Sequence, residues 1–212
     1  MRTLVLTIVM MSFFGLTSLQ ASDNGWVNLF DGKTLKGWRN PFDRGDAKVV
    51  DGEIQLVAND KFFLVGEKIY TDFIFEGELK LPEGKSNSGF MFRCHVQPNK
   101  VWGYQAEADP TKRAWSGGLF DEQRRQWLNP QNPQDSPSAN AFREKTKGVF
   151  KPTDWNKYRI QAEGTRIRIW VNEVLCTDFI DDMDAQGYIG LQHHGEDGQV
   201  YKFRNIRIKE LK

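Results

Sequence analysis

Little in the 212-residue chain points to a metal, to net charge or to a membrane span. Two cysteines, Cys94 and Cys176, and three histidines at no short ligand spacing argue against a structural zinc site. The 29 basic and 28 acidic side chains nearly cancel, to a net +1. That balance gives no reason to expect nucleic acid or an anionic membrane as partner. Beyond Leu19 no apolar run is long enough to cross a bilayer. There is no long amphipathic stretch at helical spacing, no internal repeat and no low-complexity segment. In an oxidising compartment the two cysteines could pair. Each also sits in a strand-like apolar context, where a free buried thiol is common.

What is present begins with a leader. Arg2 precedes an apolar run from Leu4 to Leu19, followed by small and polar residues, the pattern of a secretory signal peptide over residues 1–22. The expectation is a protein secreted or delivered to a periplasm. The remainder, residues 23–212, is long enough for one domain with a full core. Aromatic residues make up 13% of the chain, with seven tryptophans. Most are expected in a core, and the surplus in a cleft.

Short alternating runs separated by glycine- and Asx-rich turns dominate, which predicts an all-β, two-sheet antiparallel sandwich. Val49-Val50 and Glu53 to Val57 flank Asp51-Gly52 as a hairpin. From Asp72 to Leu81, Phe73, Phe75, Leu79 and Leu81 share one face. From Ser88 to His95, strict alternation sets Phe90, Phe92 and Cys94 opposite Gly89, Met91, Arg93 and His95. Residues 129–146 read as a polar insertion with about one helical turn near Ala139 to Glu144, either a lid or a plain surface excursion. Five strands follow, Trp155 to Ala162, Thr165 to Val171, Val174 to Phe179, Gly187 to His193 and Val200 to Lys209.

The stretch Trp102 to Trp127 concentrates the chemistry. It holds Glu107 with Asp109, Asp121 with Glu122, and Arg124 with Arg125, framed by Trp102, Tyr104, Trp115, Phe120 and Trp127. Rings that stack on C–H faces, beside carboxylates and guanidinium forks that take hydroxyls, suit a polyhydroxylated ligand such as a saccharide.

Several segments resemble the 3-keto-disaccharide hydrolase domain family. They include the opening Trp26-Val27-Asn28-Leu29-Phe30-Asp31-Gly32-Lys33-Thr34-Leu35-Lys36-Gly37-Trp38, Asn87-Ser88-Gly89 leading to Arg93, and Gly103-Tyr104-Gln105-Ala106-Glu107. Gly118-Leu119-Phe120-Asp121-Glu122, Trp155-Asn156-Lys157-Tyr158-Arg159, Gly190-Leu191-Gln192-His193-His194-Gly195 and Phe203-Arg204-Asn205-Ile206 complete the series in the family's order. The resemblance implies a concanavalin A-like jelly roll and an activity on glycosides oxidised to a ketone at C3. Members of the family commonly read Tyr-Glu-x-Gln where this chain reads Tyr104-Gln105-Ala106-Glu107. The carboxylate and amide have exchanged positions two residues apart, hence on one face.

A ketone at C3 acidifies the hydrogen on C2, so a base that removes it generates an enolate able to expel the C1 substituent. Displacement by a carboxylate pair is the alternative route. Glu107 is the expected base, Asp121 the second carboxylate on the same face, and His194 the third catalytic group, beside Gln192, with His193 either facing inward or at the frayed end of the strand. Arg93, Tyr104, Gln105, Trp115, Glu122, Arg125 and Gln192 are expected to bind substrate. Glu107 and Arg93 each also have a bland reading, as a solvated carboxylate beside Arg113 and as a structural ion pair. No cofactor is expected, although Glu107, Asp121 and His194 could together hold a divalent cation. Arg204 and Asn205 read as structural. The leading function is hydrolysis of 3-keto glycosides. The rivals are a non-catalytic saccharide-binding module and an interaction module of a cell-surface assembly.

Overall fold

Period-two alternation is realised as strands along almost the whole chain. A computed structural model describes residues 23–84 and 86–212, so the leader expected over residues 1–22 lies outside the described residues. In chain order the strands are β1 (Trp26–Asn28), β2 (Trp38–Arg39), β3 (Asp46–Val50), β4 (Glu53–Val57), β5 (Phe62–Tyr70), β6 (Phe73–Lys80), β7 (Ser88–Gln97) and β8 (Lys100–Ala108). Then come β9 (Leu119–Glu122), β10 (Gln126–Asn129), helix α1 (Pro137–Thr146), β11 (Asn156–Glu163), β12 (Arg166–Val171), β13 (Val174–Ile180), β14 (Gly187–His193) and β15 (Val200–Glu210).

Two antiparallel sheets form a sandwich. The front sheet runs β10-β9-β8-β7-β14-β5-β2 and the back sheet β13-β12-β11-β6-β15-β4-β3, with β1 also on β15. Their inner faces meet in an aromatic core, where Phe90 of the front sheet touches Phe75, Tyr158 and Phe203 of the back sheet at centroid distances of 5.1, 5.5 and 5.7 Å. Burying a ring of this size contributes about 2–3 kcal/mol, so this cluster fixes how the sheets face each other. A smaller cluster of Phe63, Val65, Met91, Cys94 and Val101 covers part of the front sheet's other face.

The alternation expected for β7 fails at one place. Register shifts between Phe92 and His95, and Arg93 takes a left-handed backbone at φ 43°. This bulge inserts an extra residue and sends Cys94 to the face of Met91 rather than that of Phe92. On neighbouring β14, a Cβ at Gly187 would lie 2.3 Å from the Arg93 carbonyl carbon, so only glycine admits the bulge. Both cysteines are buried and free, so the pairing alternative is not realised. Burial pushes the Cys94 thiol up to about 12 and that of Cys176 to about 11.

Residues 129–146 carry a longer helix than one turn. Ser136 caps α1, accepting from the amide of Ala139 at 3.1 Å. Ala139 and Phe142 enter the core, and Lys145 reaches the carbonyl of Cys176 at 3.2 Å. The insertion therefore packs beside β13 as part of the body of the sandwich.

Candidate functional site

Strands β8, β9, β10 and β14 carry, on the outer face of the front sheet, a polar cavity of about 280 Å³. Because side chains alternate, Gln105 and Glu107 of β8 point outward while Tyr104 and Ala106 enter the core. On β9, Phe120 and Glu122 likewise face out, beside Gln105 and Gly103 in the register. From β14 and its end come Gln192 and His194, while His193 turns inward against Phe62 and Tyr201. Lys61, Asn87, Arg113, Gln126 and Trp127 complete the wall.

Glu107 is the most constrained group. Its amide donates to Gly118 at 3.0 Å, and its carbonyl accepts from Gly117 at 2.8 Å and from the Tyr158 hydroxyl, reaching across the core, at 2.8 Å. Its side chain accepts a short hydrogen bond from Asn87. Only 3% of the residue is exposed. Burial penalises the ionised carboxylate and, with the Asp109 charge adding to it, outweighs the Asn87 bond and the Arg113 charge, raising the pKa to about 8. A carboxyl that titrates near neutrality beside a cavity is equipped for proton transfer.

Gln105 donates to the Gln192 side chain at 2.8 Å, across the intervening strand β7. That contact needs Gly89 beneath it, since a Cβ there would lie 2.5 Å from Gln105 Nε2. Lys61 Nζ sits 3.2 Å from Glu122. His194 Nδ1 pairs with Glu196 at 2.8 Å, and Tyr201 donates its hydroxyl to the same carboxylate. Burial alone would raise the Glu196 pKa, but the Tyr201 bond and the His194 charge hold it below the usual range. The pair fixes the imidazole and leaves Nε2 as the nitrogen available to a ligand. Arg113 is held by Asp109 at 2.6 Å, with its guanidinium 4.6 Å from the centre of the Trp127 ring. Its partner is thus Asp109 and not Glu107.

Five of the expected site residues, Glu107, His194, Gln105, Glu122 and Gln192, are brought together here. The other five are not. Asp121 was expected to share a face with Glu107, but it pairs in register with inward-facing Tyr104 and is fully buried. It accepts from Arg124 at 2.7 Å and from Arg125 at 2.6 Å. Arg125 continues to Asp181 at 2.8 Å, and Arg124 to Asp184, which also binds His95 at 2.7 Å. The Tyr104 hydroxyl donates to Asp181, so its ring and Arg125 serve this inner network. Arg93, turned by its bulge, is completely buried and bonds Asp72 at 2.9 Å and the carbonyls of Thr71, Gly164 and Asp184. Trp115 is buried edge-on behind Trp127. With Asp121 on the far face, Glu107, Asp121 and His194 do not form the trio that a shared cation would need.

Sequence reasoning missed Lys61 and Asn87 as members of the cavity. Asn87 carried a signal, in Asn87-Ser88-Gly89. Lys61 carried none, because it stands just before β5 and meets Glu122 across 61 positions.

Comparison with known proteins adds to this geometry. The model of the 3-keto-alpha-glucoside-1,2-lyase-like domain matches residues 25–209. No curated protein matches the chain. A Parabacteroides distasonis protein provisionally assigned as a glycosyl hydrolase superposes with a TM-score of 0.63 at 20% identity, over 89% of this chain and 94% of that one. The carbohydrate-binding module CBM66 from Bacillus subtilis gives 0.61 at 18%, over 82% and 96%. A Bacillus subtilis protein of unknown function with a galectin-like fold gives 0.59 at 12%, over 82% and 90%. At these identities the superpositions speak for the sandwich fold alone.

Proposed function

The chain belongs to the 3-keto-alpha-glucoside-1,2-lyase-like family, and from that premise we propose that its front-sheet cavity cleaves glycosidic bonds of 3-keto glycosides. The observation that carries the reading is Glu107, a carboxyl fixed at three backbone contacts and one side-chain contact, with its pKa raised to about 8 beside a polar cavity.

The chemistry divides among the cavity residues. Ionised Glu107 takes the C2 proton, and the C–H electrons form the enolate with oxygen at C3. Lys61, already facing the cavity beside Glu122, supplies the positive charge for that oxygen. The enolate then collapses to the ketone, a C1–C2 double bond forms, and the C1–O bond breaks. His194, oriented by Glu196, gives the departing oxygen its proton. Water adding across the double bond completes net hydrolysis. Trp127 and Phe120 provide ring faces, and the Gln105–Gln192 pair provides amides for sugar hydroxyls. The apolar run from Leu4 to Leu19, read as a leader, supports action outside the cytoplasm.

Product release from a 3-keto disaccharide, beside the unoxidised disaccharide, tests this. Cleavage of the keto form alone is expected. Cleavage of both would mean ordinary glycosidase chemistry. Binding without cleavage of either would mean a saccharide-binding module, a reading the paired amides and ring faces also serve.

A further inference from the structure

The near-zero net charge conceals a segregation on the outer face of the back sheet, opposite the cavity. There β6 lies between β11 and β15. In register, Glu76 stands between Arg159 and Arg207, and Glu78 between Lys157 and Arg204. Two successive rows thus read cation, carboxylate, cation. Glu76 is 5% exposed and receives Arg207 at 2.6 Å, Arg159 at 3.1 Å and Lys157 at 3.6 Å. Arg204 reaches Glu78 at 2.7 Å. Four cations share these two carboxylates, and with Glu173 at the rim of one depression the face still keeps a surplus of one positive charge.

The carboxylates are sunk and the cations are not. Side chains of Lys157, Arg159, Arg204 and Arg207 remain 45, 37, 37 and 43% exposed. Two open depressions of about 310 and 350 Å³ lie over the rows and share Glu76 and Lys157. Each arginine also rests against an indole, with Arg204 3.9 Å from Trp155, Arg207 4.5 Å from Trp26 and Arg159 5.7 Å from Trp170. An indole behind a guanidinium holds its fork in place without using up its donors.

We propose that this face binds an anionic polysaccharide carrying carboxylates on its sugars, a polyuronate. Cations flanking β6 are two strand spacings apart, about 10 Å, so the rows form a grid that an extended chain with carboxylates at intervals can follow. Guanidinium forks take carboxylates in bidentate fashion, and the indoles add ring surface for the sugars between them. A membrane surface fits less well. The large exposed apolar side chains Val27, Ile69, Val174, Ile180 and Met183 all lie off the central strands β6, β11 and β15, so the apolar surface of the grid is limited to half-buried indoles that its arginines already cover. The face is separate from the catalytic proposal and stands or falls without it.

The test is affinity electrophoresis of the full protein in gels containing polygalacturonate, with fully methyl-esterified polygalacturonate as control. Retardation by the acid form alone, weakening as salt is raised, is expected. Replacing Lys157→Gln with Arg204→Gln should weaken retardation about tenfold or more, while cleavage at the front sheet is unchanged. Should the double variant fold poorly, Lys157→Gln alone, which leaves Glu76 its two arginines, should still weaken binding several-fold. Lys61→Gln, in the cavity, should not alter retardation. Equal retardation by the ester, no retardation by the acid form, or a Lys157→Gln variant that binds as the parent does would overturn the proposal. So would binding to phosphatidylglycerol vesicles without binding to polygalacturonate.

Discussion

Tyr158 of the back sheet donates its hydroxyl, through the core, to the main-chain carbonyl of Glu107 in the front sheet, at 2.8 Å. The carboxylate's position is thereby referred to both sheets at once. Tyr158→Phe should lower thermal stability by about 1 kcal/mol, since the carbonyl keeps its bond from Gly117. Turnover should fall more than that loss suggests, with KM little changed, because the base shifts relative to bound substrate. Melting curves read beside steady-state kinetics check both halves.

Glu107→Gln keeps the shape and removes the base. Turnover should drop by about 10²–10⁴-fold, while saccharide affinity by calorimetry stays within a few-fold. Retained turnover would assign the proton transfer elsewhere.

The raised pKa of Glu107 has a signed consequence. As a base it acts ionised, so the ascending limb of kcat/KM against pH should be centred near 8. Stability runs the other way. Between the ordinary value of 4.5 and about 8 the folded chain holds a proton that the unfolded chain has released. The stabilisation is full below 4.5 and is lost as pH rises through about 8. Melting temperature against pH should therefore decline across this window, and less steeply in Glu107→Gln.

Asp121→Asn separates the two networks. It leaves Arg124 and Arg125 facing a neutral amide where a buried carboxylate stood, which should cost about 3–5 kcal/mol. Activity per folded molecule should be far less affected than in Glu107→Gln, as measured by active-site titration of the soluble fraction.

Gly89→Ala pushes a methyl into the space that Gln105 uses to reach Gln192. KM should rise about tenfold, and a crystal structure would show the two amides parted.

Where alternation was uninterrupted, the sequence was readable to the residue. The expected limits of β14, Gly187 to His193, are those observed, and Gln192 and His194 fall on the cavity side with His193 inward. Arg93 defeats the same logic because a bulge is a matter of backbone fit to Gly187, invisible to a count by twos. Asp121 was misplaced for a different reason. Its face depends on its register against Tyr104, and register is set by long-range pairing rather than by its own neighbours. Lys61 reached the cavity by tertiary packing alone. The helix in the polar insertion was underestimated because its stability comes from Ala139 and Phe142 docking on the core rather than from any local pattern.

Asp121, Asp181 and Asp184, with Arg124, Arg125 and His95, tie β9 to the β13–β14 connection on the side of the front sheet turned away from the cavity. Anchorage and recognition are therefore written in different residues of the same strand, alternating along it. Phe120 and Glu122, on the cavity side, can be exchanged while Leu119 and Asp121 keep the strand in its place. Gln105 and Glu107 stand in the same way on β8, so what that strand presents can change while Tyr104 and Ala106 leave its footing untouched.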